Sequence, residues 1–178
     1  MTDPLTWLMG PQVDDARERR VFGLVTARVM RIGDHGEYFL RYLSLGEDEE
    51  SAPARVMAPM AGDRRGMHFF PEVDDEVVVA FENGNTNYPI ILGAVWNNET
   101  PPPDQAQEGS SNDIRTIVTR SGHELTFDDT PGAEKVLLKT QGGHQILLDD
   151  KPPQGKVEVT TAGGHTLLIG RASCRERV

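Results

Sequence analysis

Histidine and aspartate recur together in this chain at a fixed interval. The stretches GHELTFDD (122–129), GHQILLDD (143–150) and GHTLLI (164–169) set His123, His144 and His165 on one 21-residue step, with Asp128, Asp129, Asp149 and Asp150 closing the first two. Imidazole and carboxylate are proper ligands for zinc and iron, so the array raises a metal reading. Spacing argues against it: His123 and Asp128 are an odd number of residues apart, which in a regular strand sends them to opposite faces. The plainer role is structural, Gly-His at each strand start and Asp-Asp at each solvated turn, and no metal ligand is assigned. Ser121 beside His123 makes no triad, because a triad is a spatial constellation and nothing marks an oxyanion hole. The sequence holds no G-x-S-x-G, H-E-x-x-H, phosphate-loop or dinucleotide motif. Neither catalytic residues nor a cofactor is expected, and the chain reads as non-enzymatic.

The elements that carry these residues repeat with them. Thr119, Thr140 and Thr161 keep the same step, as do Ile117, Leu138 and Val159, and Leu125, Ile146 and Leu167, so this is an internal repeat. Each unit has two short β runs, such as KVLLKT and HQILLDD, joined at Gly-Gly, with a second turn at TPGAE or KPPQGK. Alternation puts His144, Ile146 and Leu148 on one side and Gln145, Leu147 and Asp149 on the other. The expected core of the repeats is Leu125, Phe127, Leu138, Ile146, Leu148, Val159 and Leu167. Gly122, His123, Gly143, His144, Gly164 and His165 are expected to fix its register. A single layer this thin cannot bury an apolar face alone, and its edges invite pairing. Three identical intertwined chains solve both problems if each strand pairs with a neighbouring chain and the apolar faces meet on a threefold axis. The partner expected first is therefore a second and third copy.

The first half of the chain has a different texture. Residues 1–20 form a short arm ending in DDARERR. VFGLVTARVM (21–30), GEYFLRYLSL (36–45) and ARVMAPM (54–60) read as β segments, and AGDRRG (61–66) as a turn. VDDEVVVAF and YPIILGAVW form a hairpin around ENGNTN, with Asn83-Gly84 tolerating positive φ, Val77, Val79 and Phe81 on one apolar face, and Pro89 opening the return strand. With no 3.6-residue periodicity, residues 21–97 predict a small Greek-key or OB-type barrel, Phe69, Phe70 and Trp96 belonging to its core. NNETPPPDQAQEGSSND has the composition of a linker, assigned to 98–113, and the repeats occupy 114–168. The fold class is all-β.

Charge narrows the partners. The net charge of −10 and pI near 4.9 leave no basic patch to track phosphates, so nucleic acid is not an expected partner. The last ten residues, IGRASCRERV (169–178), break the repeat: Gly170 and Arg171 stand where Asp is due, and the only cysteine lies there. One reading frame of a common sequencing-library adapter encodes this decapeptide, and the segment is expected to be non-native, the gene running on past Leu168. Without Arg171, Arg175, Arg177 and Glu176 the net charge falls from −10 to −12.

Two stretches carry a resemblance. MAPMAGDRRGMHFFPEVDDEVVVAFENGNTNYPIILGAVWNNETPPP is similar to the OB-domain signature of phage baseplate assembly protein V and VgrG spike proteins, and RSGHELTFDDTPGAEKVLLKT resembles the start of their trimeric β-helical needle. The likeness covers roughly residues 20–168. It implies a structural spike or baseplate-hub component of a contractile injection machine, whether phage tail, extracellular injection system or type VI secretion system, that pierces a target envelope mechanically. Baseplate hub and tube proteins, a PAAR-like tip protein or effector beyond the needle, and transiently the target envelope are the partners it implies. Synthesis in a bacterial cytoplasm without a signal peptide, then assembly into the particle, is the implied route. Asp74 departs from the Gly usual in PEVGDEV, a change a turn accepts because Asp visits the left-handed region. Residues 32–54 match the family pattern poorly, the resemblance is to the short, phage-type form in which no tube-adaptor domain is expected ahead of the barrel, and no lysozyme-like insert lies between barrel and repeats. The competing reading is an OB-fold binding module for oligosaccharide or single-stranded nucleic acid.

Overall fold

The computed structural model describes residues 20–45, 50–103, 112–153 and 155–170. Residues 1–19 of the arm, half of the linker and the tail from Arg171 onward lie outside these residues. The chain divides into two compact units, 1–100 and 101–178.

Alternating burial organises the first unit. In β1 (Val25–Ile32) every second residue from Val25 to Val29 is buried, and β2 (Tyr38–Tyr42) buries Tyr38, Leu40 and Tyr42. β6 (Glu76–Phe81) buries Val77, Val79 and Phe81, as the pattern predicted. The short β3 (Arg55–Val56) and β7 (Pro89–Ala94) complete a sheet of order β2-β1-β6-β7-β3. A bridge between Tyr38 and Ala54, with both amides bonded, joins the β2 end to the segment entering β3. The sheet thereby curls towards closure, with β3 and β7 as its parallel neighbours. Counting the five barrel strands in chain order, the sequence around the barrel is 1-2-3-5-4-1, an OB-type Greek key. β-Branched residues at inward positions suit this pleated, buried surface, and Leu40, Val29, Val77, Val79 and Ile91 are sealed from solvent inside it. Tyr42 meets Phe81 edge-on, with ring centroids 5.5 Å apart.

The barrel departs from expectation in several places. β1 begins at Val25 rather than Val21, because Gly23 at φ 141 interrupts the strand and Val21 gives its amide to Gly84 O instead. The segment around Ala54–Met60 keeps only two strand residues. AGDRRG is a small hairpin of β4 (Ala61–Gly62) and β5 (Arg65–Gly66), turning at Asp63-Arg64. Trp96 and Phe69 are not core residues: they are 67% and 68% exposed, since both lie beyond the inward positions of the barrel strands, and of the three aromatics only Phe70 packs on the core. Asp74 does adopt the left-handed conformation, φ 75, and gives its amide to Val29 O.

The second unit is one antiparallel meander. β8 (Ile114–Val118), β9 (Glu124–Asp128), β10 (Lys135–Lys139), β11 (Gln145–Asp149), β12 (Lys156–Thr160) and β13 (Thr166–Gly170) pair strictly in chain order. This corrects the expectation that each strand takes its ladder from a neighbouring chain: β9 to β12 satisfy both edges within the chain, and only β8 and β13 keep an open one. Short turns place consecutive strands side by side, so the local partner is met first. Ile169 pairs with Val157 inside β13 and holds the position that Phe127 and Leu148 hold in the earlier repeats.

Candidate functional site

The face of the repeat sheet is built by register. One cross-strand ladder runs Ile117, Leu125, Leu138, Ile146, Val159, Leu167, and a second runs Arg115, Phe127, Val136, Leu148, Val157, Ile169. All seven residues predicted as repeat core stand on this face. The prediction missed Val136, Val157 and Ile169, although the 21-residue step and the two-residue strand period together place them there. Among these side chains Phe127, Leu138, Ile146, Leu148, Leu167 and Ile169 are all exposed. A contiguous apolar surface of this kind marks an interaction face.

The other face is mixed, with Leu137, Leu147 and Leu168 in its middle row beside Thr126 and Glu158, and charge organises its edge. Its outer row reads Asp128, Lys135, Asp149, Lys156 across successive strands, alternating in sign. Lys135 Nζ lies 3.0 Å from Asp128 Oδ2, and Thr130 donates its amide to Asp128 Oδ1 at 3.0 Å. Hydrogen bonds from Thr130, then the Lys135 ammonium, hold the Asp128 carboxyl down at about 2. Asp128 is buried, which corrects its reading as a solvated turn residue; as the last strand residue it faces Lys135 under the ladder. Asp129 pairs with Arg115, and Asp149 takes the Lys151 amide. Lys156 turns along its own strand to Glu158, raising its own pKa and lowering that of the Glu158 carboxyl. Opposite charges directly across a ladder stabilise pairing and like charges oppose a register slip.

At one end of the sheet the Thr-x-Gly-Gly or Thr-x-x-Gly turns stack. In each, the His amide donates to the Thr hydroxyl four residues earlier: His123 to Thr119 and His144 to Thr140 at 3.0 Å, His165 to Thr161 at 3.1 Å. Gly122, Gly143 and Gly164 take φ of 86, 92 and 82, values an L side chain resists. The imidazoles then link one turn to the next. His123 Nδ1 accepts the Gln141 amide and His144 Nδ1 accepts the Ala162 amide, both at 3.3 Å and both 18 residues ahead. The repeat histidine is thus a staple between neighbouring repeats. It stands at the strand end opposite the aspartates, roughly 16 Å away along five strand residues, too far to share an ion with them. Among the described residues no group of three or more His, Cys, Asp or Glu side chains is placed to hold a metal ion. Among the same residues no helix is long and apolar enough to cross a membrane.

An OB-type barrel followed by a repetitive antiparallel β sheet defines the class of this protein. Comparison with known proteins places it further: residues 40–96 match the family model of the type VI secretion system/phage-baseplate injector OB domain. The chain is 33% identical over 101 residues to the type VI secretion system spike protein VgrG3 of Vibrio cholerae, covering 55% of this chain and 10% of that one. It is 29% identical over 135 residues to the actin cross-linking toxin VgrG1 of the same species, covering 72% and 12%, and 26% identical over 143 residues to the spike protein VgrG1b of Pseudomonas aeruginosa, covering 77% and 19%. The chain is baseplate V/VgrG-like. It spans between 10% and 19% of the length of these relatives.

Proposed function

We propose that this chain is a structural spike component of a contractile injection machine, its barrel joining the baseplate hub and its repeats forming the base of a homotrimeric needle. The observation that carries the reading is the pair of largely exposed ladders of apolar side chains that runs across one face of the repeat sheet. Burying a half-exposed Leu or Ile is worth about 1 kcal/mol, and each further repeat adds four such side chains at no new topological cost. A second and third copy present the same face in the same register, which is what a cyclic assembly requires. The role is mechanical: a continuous ladder, stapled turn to turn, transmits axial force without local weak points. The resemblance to spike proteins supports a structural part, and the toxin activity in the name of VgrG1 belongs to that protein. Tube and hub proteins, a tip protein or effector, and a target envelope are the partners this role requires. Sedimentation equilibrium tests the assembly: the reading expects the mass to rise towards three times 19.7 kDa with concentration. A mass fixed at one chain sinks it.

A further inference from the structure

Strand pairing brings two arginines together on the outer face of the barrel. Val25, Ala27 and Val29 are the inward residues of β1, so Arg28 points out, and the same alternation turns Arg41 outward from β2 between buried Leu40 and Tyr42. The register sets Arg28 directly opposite Arg41 on one side and Glu76 of β6 on the other. Cβ atoms that face each other across a ladder lie roughly 5 Å apart, and like charges at that distance oppose the pairing. The two carboxylates flanking the row are committed elsewhere. Glu76 Oε2 takes the Asn97 side-chain amide at 2.8 Å. Glu50 is brought alongside β2 by the bond from the Ser51 amide to Leu40 O, and Arg31 holds both its oxygens at 2.8 and 2.9 Å. The Arg31 guanidinium in turn lies over the Phe39 ring, 3.3 Å from its centroid, which anchors that ion pair.

Arg28 Nε is sealed from solvent without a hydrogen-bond partner. Among the described residues neither Arg28 nor Arg41 stands in an ion pair. Leaving a buried donor unmet costs more than an ordinary hydrogen bond returns, and such an orphan in a folded protein calls for a reason. We propose that the Arg28–Arg41 pair is a docking site for a carboxylate-bearing segment of a partner protein. A guanidinium fork grips a carboxylate through two parallel N–H bonds, and clustered arginines are a recurring means of reading acidic motifs. Arg28 is half-buried and Arg41 exposed, so a change of rotamer, common when surfaces dock, turns the Arg28 Nε–H towards an incoming oxygen. Leu43 gives its amide to Thr26 O, continues the outward face of Arg41 and is 47% exposed, which offers an apolar contact to the residue next to the acid. Nucleic acid is the other anion an arginine pair could take. Its phosphates recur at every nucleotide and call for a continuous cationic track, whereas this row is two residues wide and runs into Glu76.

The test is a ¹⁵N-¹H titration of the full chain with a short blocked Gly-Ser peptide carrying Glu-Leu-Glu at its centre, and with the same peptide carrying Gln for Glu, each to about 10 mM, the weak range of a site with two anchors. The expected result is a saturable shift of the Arg28, Arg41 and Leu43 amides and of the Arg28 Nε–H signal with the Glu peptide alone, its affinity lowered about tenfold or more by Arg28→Gln and by Arg41→Gln. The barrel melting temperature is the second readout: with one of two facing charges removed, it holds or rises in these variants. A lower melting temperature in both would make the pair a structural feature and overturn the assignment. Shifts with neither peptide, equal shifts with both, shifts confined to other residues, or tighter binding of a short oligothymidylate at the same signals would overturn it as well. The titration reads barrel residues, so its failure and a failure of the repeats to form a trimer are separate results.

Discussion

The most informative single residue is Asp128. Its carboxyl sits at about 2, against 3.8 for the ordinary group, because Thr130 and Lys135 favour the charged form. The folded-state pKa is depressed, so the stabilisation is fully present above the unfolded value near 4 and is lost as pH falls through about 2. It amounts to roughly 2 kcal/mol. Urea unfolding midpoints at pH 7 and pH 2 should show this loss in the wild type and little of it in Asp128→Asn; equal pH slopes in the two proteins would refute the assignment. His144 acts at the same scale by accepting the Ala162 amide. His144→Ala should cost about 1 kcal/mol, a typical net hydrogen-bond contribution, and speed hydrogen exchange at Ala162 selectively. The sequence declared the period of these residues but not their function. A 21-residue step says that His123 and His144 are equivalent; that each reaches 18 residues forward depends on the strand-to-strand stacking that folding supplies.

At the scale of elements, the strands were legible where alternation was clean. Val77, Val79 and Phe81 in β6, the Asn83-Gly84 turn and Pro89 at the head of β7 stand as the pattern demanded. The strand ends of the first two barrel elements were not legible, because Gly23 and the loop after β2 trade strand pairing for individual bonds such as Val21 N–H to Gly84 O and Leu40 N–H to Ser51 Oγ. Trp96 and Phe69 show the limit of ranking by hydrophobicity: an aromatic outside the period of its strand has no inward position to fill. In the repeats, the intrachain meander follows from short turns, whereas the need to cover a thin apolar layer and its open edges points each strand to another chain. Gly143→Ala is the element-scale test. With φ at 92 and φ > 0 required at the turn, the variant should lose roughly 1 kcal/mol or more by chemical denaturation. An unchanged midpoint would mean that the turn relaxes freely.

For the whole molecule, the account rests on what covers the apolar face of the repeats. Barrel and repeat sheet belong to separate compact units, so damage to the face should leave the barrel intact. Leu138→Asp with Ile146→Asp places two charges in the centre of the first ladder, where covering them would leave unpaired buried carboxylates costing several kcal/mol. The barrel melting transition should be unaffected in that variant. The most direct measurement is sedimentation equilibrium of the wild type and of this double variant over a series of concentrations. The wild type should approach three times 19.7 kDa while the variant stays at one chain. A wild type that remains a single chain at every concentration, or a variant that assembles as well as the wild type, would contradict the claim that this face is where the copies meet.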